Sequence, residues 1–400
     1  MNTEAAAKPR YGSSRVASID AARGAAMLFV CLAHFANAYH FVSGADDTGG
    51  YIVMIGLIAS PTFVTVSGLV AGFLAVTRSS SFAALRRKLF DRGLFLLVVG
   101  HAILALSGIV TGRGFSAAYR VGYITDVIGF AVMFGPALVT SLQARSRLLL
   151  AMSVFALSWA AVFLWIPTDG LPALAKHYLI GAPNPADWTR GDFPLIPWFA
   201  VYLAGTVLGE RLGKHYLGKT SPAGHRFLAT IGIGSISFAV AIKVGLTVLK
   251  LSFPSFAQSH PNLLFVLSPY QKFPPGLVYV TFFGGAGMLL VAAILEAGRR
   301  RVLPLLLNQL RQIGLASLFV YVLQYYLYVV VLRGLRLPYS PFWPVLFLVS
   351  IAILAAAAAG WNAIEGNRFL TVGIGALLKR IERSKSTVLT QEIRLDASIS

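Results

Sequence analysis

Apolar residues run along this chain in blocks closed by Gly, Pro or clusters of charge. The blocks are long enough, at about 20 residues, to cross a hydrocarbon layer roughly 30 Å thick as helices. They predict spans at 17–40, 51–77, 93–112, 121–142, 148–166, 194–210, 227–249, 276–296, 312–332 and 342–363. The expected fold is therefore all-α: a polytopic membrane helix bundle of about ten transmembrane helices. The expected organisation is a mobile cytoplasmic N-terminus at 1–14, a transmembrane domain at 15–365 and a basic cytoplasmic tail at 366–400. Asp20, Arg23 and His34 interrupt the first block and no small-residue cleavage site follows, so it reads as a retained helix rather than a signal peptide.

Composition excludes a soluble enzyme. The chain is 56% hydrophobic and 12% charged, where a soluble domain carries roughly 25% charged residues. A net charge of +19 would suggest nucleic acid in a soluble protein. Here 24 of the 34 Lys and Arg residues fall on one side of the predicted spans and 8 on the other, with Arg23 and Lys243 inside spans. That asymmetry is an orientation signal, and it places both termini in the cytoplasm of a multi-pass protein of the inner (plasma) membrane. Membrane lipid, not nucleic acid, is the expected surrounding partner, and a homo-oligomer is left open. The single cysteine, Cys31, allows neither an internal disulfide nor a cysteine cluster, and no metal site is expected.

The first block carries the candidate chemistry. At 100° per residue Asp20, Arg23 and His34 fall within about a 60° arc, and Asn37 lies one turn above His34. Arg23 and His34 are about 16 Å apart along the axis, so a polar stripe joins the two sides of the membrane. Intramembrane ionisable groups cost about 2.5 to 3.5 kcal/mol on insertion scales, so they should face the bundle interior and mark a site. Two plainer readings stand beside this one: Asp20 and Arg23 can simply neutralise each other at the interface, and His34 can be a hydrogen-bonded core imidazole. An imidazole there is also the natural proton acceptor for a sugar hydroxyl or amine.

Other residues extend the list. Arg86, Arg87, Lys88 and Arg92, in a loop at the foot of the first helix, could hold phosphates or anionic lipid. Asp126 and Lys243 fall inside predicted spans and would suit a proton-coupled carrier. Asp187, Trp188, Asp192, Pro194, Pro197 and Trp198 could form an aromatic and acidic rim near the external end of the sixth span. Arg299, Arg300 and Arg301 read as topological anchors, and Phe283-Gly-Gly-Ala-Gly287 reads as close helix packing. No Walker sequence, dinucleotide fingerprint, zinc motif or nucleophile elbow stands in a suitable context.

Arg23, ten residues, then His34 resembles the Arg-x10-His pattern of membrane acyltransferases that acylate bacterial surface glycans. The surrounding Ser18-Ile-Asp-Ala-Ala-Arg-Gly24 resembles the branch named for heparan-α-glucosaminide N-acetyltransferase. So do Ser60-Pro-Thr-Phe with Ser67-Gly68, Phe193-Pro-Leu-Ile-Pro-Trp198 with Gly205 and Gly209, Lys272-Phe-Pro-Pro-Gly-Leu, and Ile313-Gly-Leu-Ala-Ser-Leu-Phe-Val-Tyr321. The resemblance spans 15–365. It implies transfer of an acyl group, typically acetyl, from cytoplasmic acetyl-CoA or another acyl-CoA to an extracytoplasmic sugar or glycan, with no permanently bound cofactor. By that resemblance His34 is the acyl relay or general base, and Arg23 positions the donor or balances charge beside Asp20; Arg86, Arg87, Lys88 and Arg92 are the donor-binding candidates, in a basic loop that departs from a clean Arg-x-x-Arg. Asn37, His40, Trp198 and Gln324 are then the acceptor-side candidates. Gln324 stands where related sequences are expected to carry His, and His40 competes with His34 for the catalytic role. A transporter or glycan exporter and a non-catalytic membrane subunit are the rival readings.

Overall fold

A computed structural model describes residues 17–43, 54–182, 193–219, 224–337 and 340–369. The expected terminal segments lie outside these residues. Within them the chain is helical, without strands, and nine helices are long and apolar enough to cross a membrane. The chain is thus an all-α, multi-pass membrane bundle.

The helices that shape the interior are α1 (Ala17–Ser43), α2 (Ala59–Thr77), α3 (Phe82–Phe95), α4 (His101–Val110), α5 (Ile124–Ser141) and α6 (Ala144–Leu164). After them come α7 (Leu195–Tyr216), α8 (Gly224–Ser252), α9 (Leu277–Arg300), α10 (Pro304–Leu315), α11 (Ser317–Tyr325) and α12 (Trp343–Ala363). The expected sixth span exists as α7 but falls short of the apolarity of the nine. Glycine, tyrosine and threonine mark the faces it turns to α2, and Glu210 and Arg211 lie near its end. At the periphery, α8 and α12 bury only 17% of their most apolar windows. Residues such as Phe238, Val244, Leu348 and Ile353 are exposed there, as suits contact with lipid.

Two close crossings set the interior. Gly68 and Gly72 of α2 face the Tyr202 and Thr206 carbonyls of α7, while Gly205 and Gly209 face those of Thr65 and Leu69. This is the small-xxx-small spacing that lets membrane helices approach backbone to backbone. A second crossing joins α1 to α10 through Gly24 and Gly314.

Three segments differ from the sequence expectation. The basic stretch 85–92 is not a loop: it belongs to α3, which runs on into the third span. Leu, Ala, Arg and Lys are good helix formers, and no proline or interior glycine stops the helix before the span begins. The block 312–332 divides at Ala316 into α10 and α11, and α11 continues as a π turn at Tyr326–Leu332. A second π turn, Leu96–Gly100, links α3 to α4. Finally, Arg147, counted above among the loop charges, is 1% exposed.

Arg147 sits under the end of α5. It donates to the carbonyls of Val139 (2.9 Å) and Leu142 (3.3 Å), which have no partner further along the helix, and pairs with the Glu210 carboxylate of α7. Lys214 holds the other oxygen of Glu210 at 2.6 Å. Arg147→Met should leave the half-buried Glu210 carboxylate with Lys214 alone and two carbonyls uncapped, with a loss of about 1 to 3 kcal/mol. Thermal unfolding in detergent measures this; a Tm within a degree of wild type would show that the network is not structural.

Candidate functional site

The α1 stripe meets α11 at two heights. Near the foot, Arg23 Nη2 donates to Ser317 Oγ at 2.7 Å, and its Nη1 lies 3.9 Å from Asp20 Oδ1. Asp20 is 5% exposed, so its carboxylate turns inward with Arg23 instead of snorkelling outward. About three turns up, His34 Nδ1 meets the side-chain amide of Gln324, 3.0 Å from Oε1 and 2.9 Å from Nε2. Gln324 is fully buried, and its Nε2 also donates to the Tyr321 carbonyl at 3.0 Å. An amide offers both a donor and an acceptor, so Gln324 can hold either imidazole tautomer. With Nδ1–H on Oε1, the lone pair at His34 Nε2 is available for chemistry. The expected second histidine is therefore replaced by a group that orients the ring without titrating. Tyr321 and Tyr325 frame it edge-on, at centroid distances of 6.1 and 5.5 Å.

Below His34 lies a cavity of about 360 Å³. Asp20, Arg23, Arg78 and Arg92 line it at the foot of α1 and α3; Phe63, Val70, Leu96 and Ile128 give it apolar walls. Its wall also contains Thr125 and Tyr202, whose hydroxyls are buried and lack a hydrogen-bond partner among the described residues. Buried hydroxyls seldom go unsatisfied, so these two mark a place where a ligand can supply acceptors or donors. Tyr321 belongs both to the cavity wall and to the ring cluster around His34.

The remaining candidates separate. Of the four basic residues proposed for the donor, Arg92 lines the cavity, whereas Arg86, Arg87 and Lys88 are exposed on α3, with Arg86 donating to Thr140 at 3.3 Å. Arg78 takes a place that the sequence reading did not assign. Asn37 is exposed and donates to the Ala33 carbonyl of its own helix at 2.9 Å, so it stands apart from the His34 cluster. Trp198 is not on a rim: it is fully buried, packed against Phe193 and Tyr279. The side chain of His40, and Asp187, Trp188 and Asp192, lie outside the described residues.

Asp126 and Lys243, the two residues that would suit a carrier, stand in different surroundings. Asp126 Oδ2 meets His101 Nδ1 at 3.0 Å and accepts from the Tyr123 backbone N–H at 2.8 Å, capping α5. Lys243 is on the exposed face of α8. His101, whose Nε2 reaches the Tyr119 carbonyl at 3.1 Å, was missed in the sequence. Its only signal was an imidazole inside an apolar block. Arg299 and Arg300 are exposed and pair with Glu296, in keeping with an anchoring role.

The family model for the catalytic part of heparan-alpha-glucosaminide N-acetyltransferase matches residues 15–242. The chain belongs to this family. No curated protein matches it. The match takes in α1 with Asp20, Arg23 and His34, the α3 foot of the cavity and α7 with Trp198. The partners that α11 brings to the stripe, Ser317 and Gln324, lie beyond the matched stretch. Membership of the N-acetyltransferase family makes this a multi-pass protein of the membrane acyltransferase class.

Proposed function

We propose that the protein transfers an acetyl or other acyl group from cytoplasmic acyl-CoA to a sugar or glycan on the opposite face of the inner membrane. The observation that carries this reading is the cavity: an arginine-lined foot, apolar walls with two unsatisfied hydroxyls, and an aromatic wall shared with His34. Guanidinium groups pair with phosphates, and a long thin arm bearing amide groups suits an apolar shaft with isolated hydroxyls. The thioester then arrives below the imidazole.

Two routes balance. His34 Nε2 can attack the thioester carbonyl; the C–S bond breaks, the departing thiolate takes up a proton, and the acceptor displaces the imidazole from the acyl group while giving up its own proton. Alternatively His34 takes the acceptor's proton as the acceptor attacks the thioester directly, and passes it to the thiolate. In both routes Gln324 holds the ring, and Arg23, tied to Asp20 and Ser317, sets the charge at the foot. The exposed Lys243 and the capped Asp126 give the transporter reading less support.

Arg78 and Arg92 provide the test. Replacing both with Ala should weaken acyl-CoA binding about 10- to 100-fold, the effect of losing charge-assisted bonds to phosphate, without changing the ratio of rates among acceptors. Binding of radiolabelled acetyl-CoA to detergent-purified protein measures it. Absence of binding to folded wild type would overturn the reading in favour of a carrier or a non-catalytic subunit.

A further inference from the structure

Acyl transfer needs an acceptor at His34 from the side opposite the arginine-lined foot, and the connection between α8 and α9 holds a cation with no anion beside it among the described residues. The connection is well braced. The Gly276 N–H donates to the Gln271 carbonyl at 2.7 Å, and the Gln271 amide donates to the carbonyls of Phe273 (2.7 Å) and Pro274 (3.3 Å). From α6, the Trp159 indole N–H donates to the Pro275 carbonyl at 3.1 Å. Lys272 is therefore held in place by its backbone.

Its ammonium stands 5.1 Å from the centroids of both Phe193 and Phe273, two rings that meet edge to face at 4.7 Å. Among the described residues it makes no hydrogen bond and no ion pair. Aromatic faces attract a cation but accept none of its three N–H groups in the way an oxygen does. A second unused donor lies close by. Trp198 packs on the same Phe193 at 5.7 Å, is fully buried, and its Nε1 has no partner among the described residues. Two donors thus gather at one phenylalanine with no described acceptor between them, which is the complement of an oxyanion. Phe193 also ties this place to the proposed reaction centre: its N–H donates to the Gly122 carbonyl at 3.3 Å, the adjoining Tyr123 ring meets Tyr325 edge to face at 5.9 Å, and Tyr325 frames His34.

We propose that Lys272 recognises the acceptor, and that the acceptor is an anionic sugar whose carboxylate or phosphate pairs with this ammonium. The proposal rests on the acyltransferase reading of His34. Asp192 precedes Phe193 and lies outside the described residues, so it enters the test as a control.

The experiment uses the full chain in detergent with saturating acetyl-CoA and three acceptors: glucosamine 6-phosphate, a glucuronate–glucosamine disaccharide and neutral methyl glucosaminide. Lys272→Met should raise KM for the charged acceptor in use about 30-fold or more, as loss of one member of a desolvated charge pair does. KM for the neutral sugar and for acetyl-CoA should stay unchanged, and Lys272→Arg should restore most of the loss. The two charged arms separate carboxylate from phosphate. Burial pushes the Lys272 ammonium down to about 8, with no charged group contributing. The preference for the charged acceptor should therefore be full well below that pH and fall as pH rises through it, because the ammonium loses its proton.

Equal effects of Lys272→Met on charged and neutral acceptors, or none on either, would overturn the proposal. So would an Asp192→Asn variant that reproduces the Lys272→Met loss, since Lys272 would then serve an internal pair. Failure of wild type to bind acetyl-CoA would overturn the acyltransferase reading itself, whereas intact donor binding with Lys272-independent acceptor choice would sink this inference alone.

Discussion

His34→Ala is expected to lower kcat for acyl transfer by about 10²- to 10⁴-fold, the range general acid–base groups contribute, while leaving acyl-CoA affinity close to wild type. The split follows from geometry. The cavity proposed for the donor is lined by Asp20, Arg23, Arg78 and Arg92 with Tyr321 on the side of His34, and the imidazole forms no part of its wall. The fold should survive the change, because the Gln324 amide keeps its bond to the Tyr321 carbonyl when the ring is gone. Equilibrium binding and single-turnover transfer, run on the same detergent-purified sample, separate the two quantities. Full transfer activity in a folded His34→Ala protein would remove His34 from the chemistry and turn attention to His40 or to the His101–Asp126 pair.

Gly314→Leu should be the most damaging change outside the reaction centre. A Cβ at Gly314 would stand 1.8 Å from the Asp20 carbonyl oxygen, and one at Gly24 would stand 1.8 Å from that of Leu310. Both obstacles are backbone, so α1 and α10 must separate. Overpacking costs about 1 to 3 kcal/mol and sometimes more, which outweighs the gain of up to about 1 kcal/mol from removing a helical glycine. The separation would also draw Ser317 away from Arg23 and Gln324 away from His34, since α11 follows α10 directly. We expect a lower Tm together with loss of transfer. Gly360→Ala is the matched control: it lies in α12 with nothing near its Cβ position and should be neutral or slightly stabilising. Equal Tm values for the two variants would show that the crossing tolerates separation.

Much of the site was legible along α1 because it is written in one helix. The spacing of Asp20, Arg23 and His34 follows from 3.6 residues per turn, and burying charge in a membrane is costly enough to draw the eye. What the stripe touches was not legible. Ser317 lies 294 residues from Arg23, and Gln324 lies 290 from His34. Arg92 and Arg86 look alike within one basic stretch, yet only Arg92 faces the cavity, because α3 is helical and turns Arg86 outward. Trp198, expected on an aromatic rim at a span's end, is buried instead, because Phe193 and Tyr279 close over it.

By itself, the sequence determined the class of molecule, the rough limits of most of its spans and the polar face of α1, and its motifs carried the acyltransferase resemblance. The first three depend on local periodicity or on the cost of placing polar groups in hydrocarbon, and both can be read within a single segment. Only the tertiary structure decided that the stripe docks on α11, that Arg78 and Arg92 share a cavity with it, that Asp126 is paired with His101, and that Lys272 faces two rings. Those outcomes depend on how closely Gly24, Gly314 and the glycines of α2 and α7 let distant helices approach, and that distance is set by three-dimensional packing.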